Sequence, residues 1–311
     1  MNNLGKVDFK IKGHSSFHIR EGWLRKGIRN FVGKSIKSND APDKLAVGAN
    51  MVSSIRYWLN VTNLTYEEIL KGSKKTQVLT EGFGDVINKH DKYFDDIFTL
   101  WLIHYQIVTN KEKATSWYVF FNKFKATKFT KEEMFKNLKI YIDEIVDGEK
   151  YSSSSLMDDC TCIIKTYYDD LKGNVTPEDK MSCPLSELEL IDKVKINGEE
   201  FILKKKPSMR KLDKLVVLYI ILDNLEKVKS DVKDTKKSIN IKEILDDECN
   251  AGKVLNLDRA LLNQYLDRLK NEGYLQINRT SGLDTIYIGE DYESRTINEL
   301  KKEILEEYYN Q

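Results

Sequence analysis

The segment at 13–20, GHSSFHIR, concentrates side chains that could handle protons or phosphate. The imidazoles of His14 and His18 belong to the side-chain type most used for acid–base chemistry, and Arg20 carries a planar cation that suits phosphate oxygens. One interpretation makes His14 and Arg20 the catalytic groups that act on a nucleic-acid strand. The other makes the segment a structural turn in which His14 satisfies backbone groups, because no Asp or Glu with metal-ligand spacing surrounds it.

A second set of polar and basic side chains follows on short helices. The apolar spacing of GWLRKGIRNFV predicts a first helix from Gly22, and NDAP at 39–42 predicts the start of a second that stops near Gly48. A third helix is predicted over 50–59. This order fits an N-terminal helix-turn-helix-like module, and an ordinary helical hairpin fits it equally well. In the helix-turn-helix interpretation the DNA-binding residues are Lys26, Asn50, Ser53 and Arg56.

The last third of the chain predicts a C-terminal winged helix. Apolar series in 211–225 and 257–273 indicate two helices with a buried face, and IKEILDDE between them indicates another. Asn256 is predicted to cap the last of these helices, and Gly273 to end it. The alternating pattern on both sides of TSG at 280–282 predicts a β-hairpin, and a final amphipathic helix follows that could pack back on the body or form dimer contacts.

On this module the candidate DNA contacts lie along the polar side of the third helix and in the wing. Arg and Asn suit guanine and adenine edges, and basic wing residues reach phosphate. Acidic neighbours such as Asp258, Asp267 and Glu272 reduce the positive charge of this surface. The alternative interpretation is therefore a solvated helix face on a protein-binding module. The predicted DNA-binding residues here are Asn256, Arg259, Asn263, Arg268 and Arg279.

Other reactive side chains give weaker patterns. Three of the four cysteines, Cys160, Cys162 and Cys183, lack CxxC spacing and a fourth ligand, which disfavours zinc. His104 lies in the apolar run TLWLIHYQIV and is predicted to be a hydrogen-bonded core histidine. Phosphate-binding and hydrolase motifs are absent from the sequence, so nucleotide-driven and hydrolase chemistry have no support.

Composition bounds the class of protein. With 50 Lys and Arg against 49 Asp and Glu, any attraction to nucleic acid must come from local patches. Few, irregularly spaced cysteines and the lack of a long apolar run predict a cytoplasmic protein that does not enter a membrane. We expect a mainly α, multi-domain chain: an N-terminal module over 1–84, a central helical domain over 85–200, and a winged-helix domain with a terminal helix over 201–311.

Four segments resemble one family of proteins with an uncharacterised domain. They are GHSSFHIREGWLRKG at 13–27, LAVGANMVSSIRYW at 45–58, TLWLIHYQIVTNKEKATSWYVFFNKF at 99–124 and EDKMSCPLSELELI at 178–191. They follow the family's order over nearly the whole chain. That family is typically encoded beside sulfurtransferase-like genes of DNA phosphorothioation systems, and the SspB-like nicking component of Ssp-type defence operons looks like its best-described member.

The resemblance implies a DNA-binding component of a sulfur-modification or anti-phage cassette, and possible nicking of one strand so that a sulfur-loaded partner can exchange a phosphate oxygen. Double-stranded DNA and sulfur-transfer proteins of the same operon are then the partners, with a divalent metal as cofactor if the protein nicks DNA. The family's first motif reads Gly-His-Glu-Thr-Phe, whereas this chain has Ser15 and Ser16 at its third and fourth positions. If that glutamate is catalytic, this chain lacks it. The alternative is a non-enzymatic winged-helix transcriptional regulator or protein-docking adaptor.

Overall fold

The computed structural model describes residues 8–34, 40–70, 74–146, 150–169, 182–227, 238–280 and 283–311. Helices dominate these ranges, and the described strands form small antiparallel sheets, so the chain is mainly α. The segment GNVTP at 173–177, whose Gly, Asn and Pro predict a turn, and the centre of the hairpin turn at 281–282 lie outside the described residues. No helix in the described ranges has both the length and the apolar character needed to cross a membrane.

The N-terminal region contains the three predicted short helices. They are α1 (Trp23–Phe31), α2 (Ala41–Leu45) and α3 (Ala49–Val61). Helices α1 and α3 pack closely at Gly27, where a Cβ atom would lie 2.7 Å from Leu59 Cδ1. A larger residue there would push the two helices apart.

An antiparallel hairpin, which the sequence analysis did not predict, follows α3. Its strands are β1 (Thr65–Leu70) and β2 (Lys74–Leu79). Val32, just after α1, forms a single parallel bridge to Gln77 in β2, and the Gly33 amide donates to the Gln77 carbonyl at 3.0 Å. We call α1 through β2 the N-terminal module.

The middle of the chain is a helical block with a small sheet. Its helices are α4 (Gly84–His90), α5 (Ile97–Thr109), α6 (Thr115–Asn122), α7 (Lys131–Val146) and α8 (Ser153–Tyr167). Its strands, in the order β3-β5-β4, are β3 (Lys128–Phe129), β4 (Ile191–Ile196) and β5 (Glu199–Lys204). Ser152 caps α8 by accepting a hydrogen bond from the Ser155 amide, so this helix begins within the serine run at 152–155. Most of α5 and all of α6 are buried, as their dense apolar sequences predicted.

The C-terminal region contains the predicted helices and hairpin, and also a short helix over 251–254, where the sequence predicts a loop. In chain order they are α9 (Lys214–Lys227), β6 (Ser238–Asn240), α10 (Ile241–Asp246), α11 (Ala251–Val254), α12 (Arg259–Asn271), β7 (Leu275–Thr280), β8 (Leu283–Ile288) and α13 (Ile297–Tyr309). The sheet order is β6-β8-β7. We call α9 through β8 the C-terminal module. Helix α13 packs back on α9 and α4.

The predicted cap of α12 was wrong. The helix begins at Arg259, and the Asp258 carboxylate accepts from the Leu261 amide at 2.8 Å. Asn256 instead has a positive φ of 53° and donates its side-chain amide to the Lys205 carbonyl at 3.2 Å. Asn and Asp are both favoured caps, so local preference did not distinguish the two positions.

Buried apolar side chains form one cluster that runs through all three regions. Specific hydrogen bonds also link distant parts of the chain. Trp101 in α5 donates its indole N–H to the Lys211 carbonyl at 2.8 Å, and Thr99 and Tyr309 share a hydrogen bond of 2.5 Å. The domain boundaries near 84 and 200 stay a prediction.

Candidate nucleic-acid interface

A cleft of about 740 Å³ opens beside the start of α1 and the turn between α2 and α3. We call it the basic cleft, because two cations and a single carboxylate line it. Its lining residues are Arg20, Glu21, Gly22, Trp23, Lys26, Ala46, Val47, Gly48 and Met51. The cleft thus brings together two predicted site residues, Arg20 and Lys26, from the end of the GHSSFHIR segment and from α1.

Both cations of the cleft are available to an anion. The Arg20 guanidinium lies over the Phe17 and Trp23 rings, with its carbon 5.7 and 5.6 Å from the two ring centroids. Such stacking orients the guanidinium without using its N–H donors. Lys26 is exposed and forms no ion pair with any described residue. Phosphate oxygens suit both groups.

Helix α3 presents the other predicted N-terminal contacts. Asn50 and Ser53 are exposed on its first turns, and the Arg56 guanidinium is 4.5 Å from the Phe31 ring centroid. The helix sequence, ANMVSSIRYWLNV, contains no acidic residue. Gly48 precedes it at the cleft without a side-chain cap, so the positive end of the helix dipole faces the same space as Lys26.

His14 does not lie on this surface. Its side chain is fully buried, and its Nε2 is 2.7 Å from the Asp159 carboxylate in α8. The same carboxylate accepts hydrogen bonds from the Lys12 amide at 2.9 Å and from the Ser116 hydroxyl at 2.5 Å. The structure therefore places His14 in a buried polar network, and its catalytic role stays a prediction.

This network holds the loop of residues 12–17 against α3. The Ser54 hydroxyl donates to the His14 carbonyl at 3.0 Å, and the Trp58 indole N–H donates to the Phe17 carbonyl at 2.9 Å. Lys12, Ser15 and Ser16 all have φ between 51° and 69°, the left-handed region that non-glycine residues enter only when held by their surroundings. Arg20 follows this loop by three residues and lies over Phe17, the last residue of the loop, so the network helps to position that cation.

Neither Asp159 nor the hairpin was identified from the sequence. Asp159 is 145 residues from His14, and no local pattern signals such a pairing. The hairpin did leave a signal, because KGSK at 71–74 separates two segments that contain aromatic and β-branched residues. Asp158, next to Asp159, forms an ion pair of 2.6 Å with Lys12, and Ser16 donates to its carboxylate at 3.4 Å. A carboxylate thus lies beside the serines of the first motif.

Two of the predicted DNA-binding arginines of the C-terminal module have acidic partners. Arg259 is 3.4 Å from Asp284, and Arg279 is 3.2 Å from Asp267. Both arginine side chains are more than half exposed, so these are surface pairs that add at most about 1 kcal/mol to stability. Arg268 is exposed and Asn263 is half-buried on the same helix.

The charge of the chain is unevenly divided. Residues 1–84 contain 14 Lys and Arg against 7 Asp and Glu, whereas residues 201–311 contain 20 of each. The near-neutral total therefore hides a positive N-terminal region. A local excess of this size attracts polyanions over about one Debye length, roughly 8–10 Å at physiological salt.

His104 is the predicted core histidine. Its Nε2–H donates to the Val254 carbonyl at 2.7 Å, and its Nδ1 accepts from the Tyr167 hydroxyl at 2.7 Å. Burial raises the pKa of Tyr167 well above its usual value and keeps that hydroxyl a donor, while burial lowers the pKa of His104 to about 4. His104 is therefore a neutral structural link between α5, α8 and the end of α11.

In the described ranges, no group of three or more His, Cys, Asp and Glu side chains is placed so that it could bind a metal ion. Burial raises the pKa of the Cys160 and Cys183 thiols to about 12, so both stay protonated at neutral pH. The basic cleft contains one carboxylate, Glu21, which does not suit a divalent cation by itself.

The chain belongs to the family described as "Protein of unknown function (DUF4007)", whose sequence profile matches residues 11–309. Its fold is similar to a crystal structure of magnesium-ion-bound SspB, with 23% identity, a TM-score of 0.84, and coverage of 97% of this chain and 88% of that one. A second SspB crystal structure has 23% identity, a TM-score of 0.83, and coverage of 99% and 91%. No curated protein matches the chain in sequence. The predicted SspB-like resemblance is confirmed, and at this identity the solved structures establish the fold alone.

Proposed function

We propose that this chain is the duplex-DNA-binding component of a DNA phosphorothioation or anti-phage defence system, and that the DNA backbone crosses the basic cleft. The observation that carries the proposal is the pairing of two cations, Arg20 and Lys26, with an acid-free helix α3 inside a region of excess positive charge. The similarity of the whole fold to SspB supports the assignment to a DNA phosphorothioation system.

The C-terminal module has the helix and strand order of a winged helix, and we assign it a second contact to DNA. Arg259 and Arg279 reach phosphate by exchanging their acidic partners for it, which weakens their contribution compared with Lys26. Sulfur-transfer proteins of the same operon are the proposed protein partners in the cytoplasm. We also propose that this chain forms a homodimer in that assembly.

The test is binding of a fluorescent 30-base-pair duplex at several salt concentrations, with the wild type and the double variant Arg20→Ala/Lys26→Ala. We expect affinity to fall steeply with salt, and the variant to lower the salt slope by about one for each lost phosphate contact. Lys302→Ala, an exposed lysine on α13, is the matched control. No retardation of duplex by the wild type at low salt would overturn the proposal.

Strand nicking is the second candidate function, favoured by the fold shared with magnesium-bound SspB and by the resemblance of the first motif. The described residues do not present a set of metal ligands, so we assign no step to a metal. Supercoiled plasmid is incubated with and without magnesium ions. Conversion to open circle that disappears in Arg20→Ala or His14→Ala would support nicking, whereas tight binding without conversion would support the non-enzymatic adaptor.

A further inference from the structure

The N-terminal and C-terminal modules share one order of elements. Each has a first helix, a short extended segment, a helical middle part, a longer helix and then a hairpin. In each, the extended segment joins the last strand of the hairpin: Val32 bridges to Gln77 in β2, and β6 pairs with β8. The first contact is a single parallel bridge and the second is an antiparallel pair. The hairpin β1–β2 therefore occupies the place that the predicted wing, β7–β8, occupies in the C-terminal module.

The two modules also pack alike. The first helix contacts the longer helix in both, α1 with α3 and α9 with α12, and the longer helix contacts the first strand of its hairpin. In the N-terminal module, α3 presents Asn50 and Ser53 to solvent, and the hairpin follows this helix in the chain. A contact surface made by α3 alone would leave the hairpin without a role.

The hairpin exposes apolar side chains that the fold does not need. Ile69 is 71% exposed and Tyr66 is 49% exposed, both on β1. Ile69 pairs across the hairpin with Lys75, whose ammonium is 2.6 Å from the Glu67 carboxylate. Glu68 has no ion-pair partner in the described part of the chain. Other exposed large apolar residues, such as Ile140, lie singly on different elements.

We propose that the hairpin β1–β2 is the wing of a second DNA-binding module. In it, Ile69 and Tyr66, which lie on opposite faces of β1, contact the two walls of a duplex groove, and Lys75 exchanges Glu67 for a phosphate. This inference rests on the proposed function and adds a contact surface to it. Apolar side chains insert against sugars and partly unstacked base steps in known groove binders. The charge of the region favours an anionic partner such as DNA over a neutral or basic protein surface, because residues 1–84 hold twice as many cations as anions.

The test compares three full-length variants by binding of the same duplex at fixed salt. Tyr66→Ala/Ile69→Ala removes the apolar contact, and we expect affinity to fall about tenfold. Glu68→Gln removes the unpaired carboxylate, and we expect affinity to rise about threefold because one repulsion with phosphate is lost. Ile140→Ala, which truncates an isoleucine on α7 that is 59% exposed, is the control and should leave affinity unchanged. Thermal unfolding verifies that each variant is folded.

The outcomes separate this inference from the proposed function. In one outcome, Arg20→Ala/Lys26→Ala weakens duplex binding but the hairpin variants do not. That result overturns the assignment of the hairpin as a wing and leaves the proposal for the basic cleft in place. Hairpin variants that retain DNA affinity and lose self-association in sedimentation would assign β1 to a protein contact, which also overturns the inference. A wild type that binds no duplex overturns both proposals.

Discussion

The N-terminal and C-terminal modules have the same element order but differ in how their charges are used. At the N-terminal module, Arg56 and the preceding Arg20 lie over aromatic rings, and Lys26 has no ion-pair partner among the described residues. In the C-terminal module, Arg259 and Arg279 have acidic partners. Similar arrangements of helices and strands can therefore present very different potentials to a polyanion, and element order alone does not identify a DNA-binding surface.

The modules are also joined to the central block in different ways. A carboxylate network links the N-terminal loop to α6 and α8 through Asp159. A neutral histidine, His104, links α5 to the C-terminal module through the Val254 carbonyl. Removing the first link leaves several buried donors without an acceptor, whereas the second link is sensitive to acid.

The largest expected effect is at the N-terminal link. Asp159→Ala should lower the free energy of unfolding by about 3–5 kcal/mol, because His14, Ser116 and the Lys12 amide lose their shared acceptor in a buried site. Urea unfolding measures the change. The neighbouring Asp158→Ala removes a partly exposed ion pair and should cost about 0–1 kcal/mol. Equal effects of the two substitutions would mean that the buried network is not the link.

The C-terminal link should respond to pH. The pKa of His104 is about 4 in the folded chain and about 6.5 when unfolded, so the unfolded chain binds a proton first as the pH falls. Stability from this group is complete above pH 6.5, is lost between 6.5 and 4, and changes no further below 4, with a total loss of about 3 kcal/mol. Urea unfolding at pH 7, 5.5 and 4.5 measures it. His104→Gln should show a smaller loss over this window, and an unchanged pH slope in that variant would contradict the assignment.

The comparison of charges predicts unequal effects on DNA affinity. Arg20→Ala/Lys26→Ala should weaken duplex binding by about tenfold, and Arg259→Ala/Arg279→Ala by less than about threefold, because only the second pair of cations must release acidic partners. Fluorescence anisotropy at one salt concentration measures both. A stronger effect of the C-terminal variants would reverse the roles that we assign to the modules.

The smallest effect concerns the exposed ion pairs themselves. Asp284→Asn/Asp267→Asn should change the free energy of unfolding by about 0–1 kcal/mol, since both pairs are solvated. The same variant should raise duplex affinity slightly by releasing Arg259 and Arg279. Urea unfolding and anisotropy on one preparation measure the two quantities together. A drop in duplex affinity would show that the carboxylates contribute to the interface.

Sequence patterns predicted the helices better than the sites. The spacing of apolar residues was sufficient for α1, α3, α9 and α12, and the turn around TSG for β7 and β8, because these elements depend on local periodicity. The first hairpin was missed although its strands are as long as β7 and β8, because apolar and polar residues do not alternate regularly in TYEEIL and KKTQVL. The placement of the GHSSFHIR segment could not be derived, because His14 meets a carboxylate from a distant helix.

By itself the amino-acid sequence determined that the chain is mainly helical, which stretches form the core, and which family it resembles, because helical periodicity, burial of apolar residues and ordered motifs are local properties. Only the tertiary structure decided that His14 is buried while Arg20 and Lys26 share a cleft. It also decided that Arg259 and Arg279 form ion pairs with acidic residues. Those outcomes depend on which distant side chains the packed helices bring within hydrogen-bonding distance, and local sequence does not contain that distance.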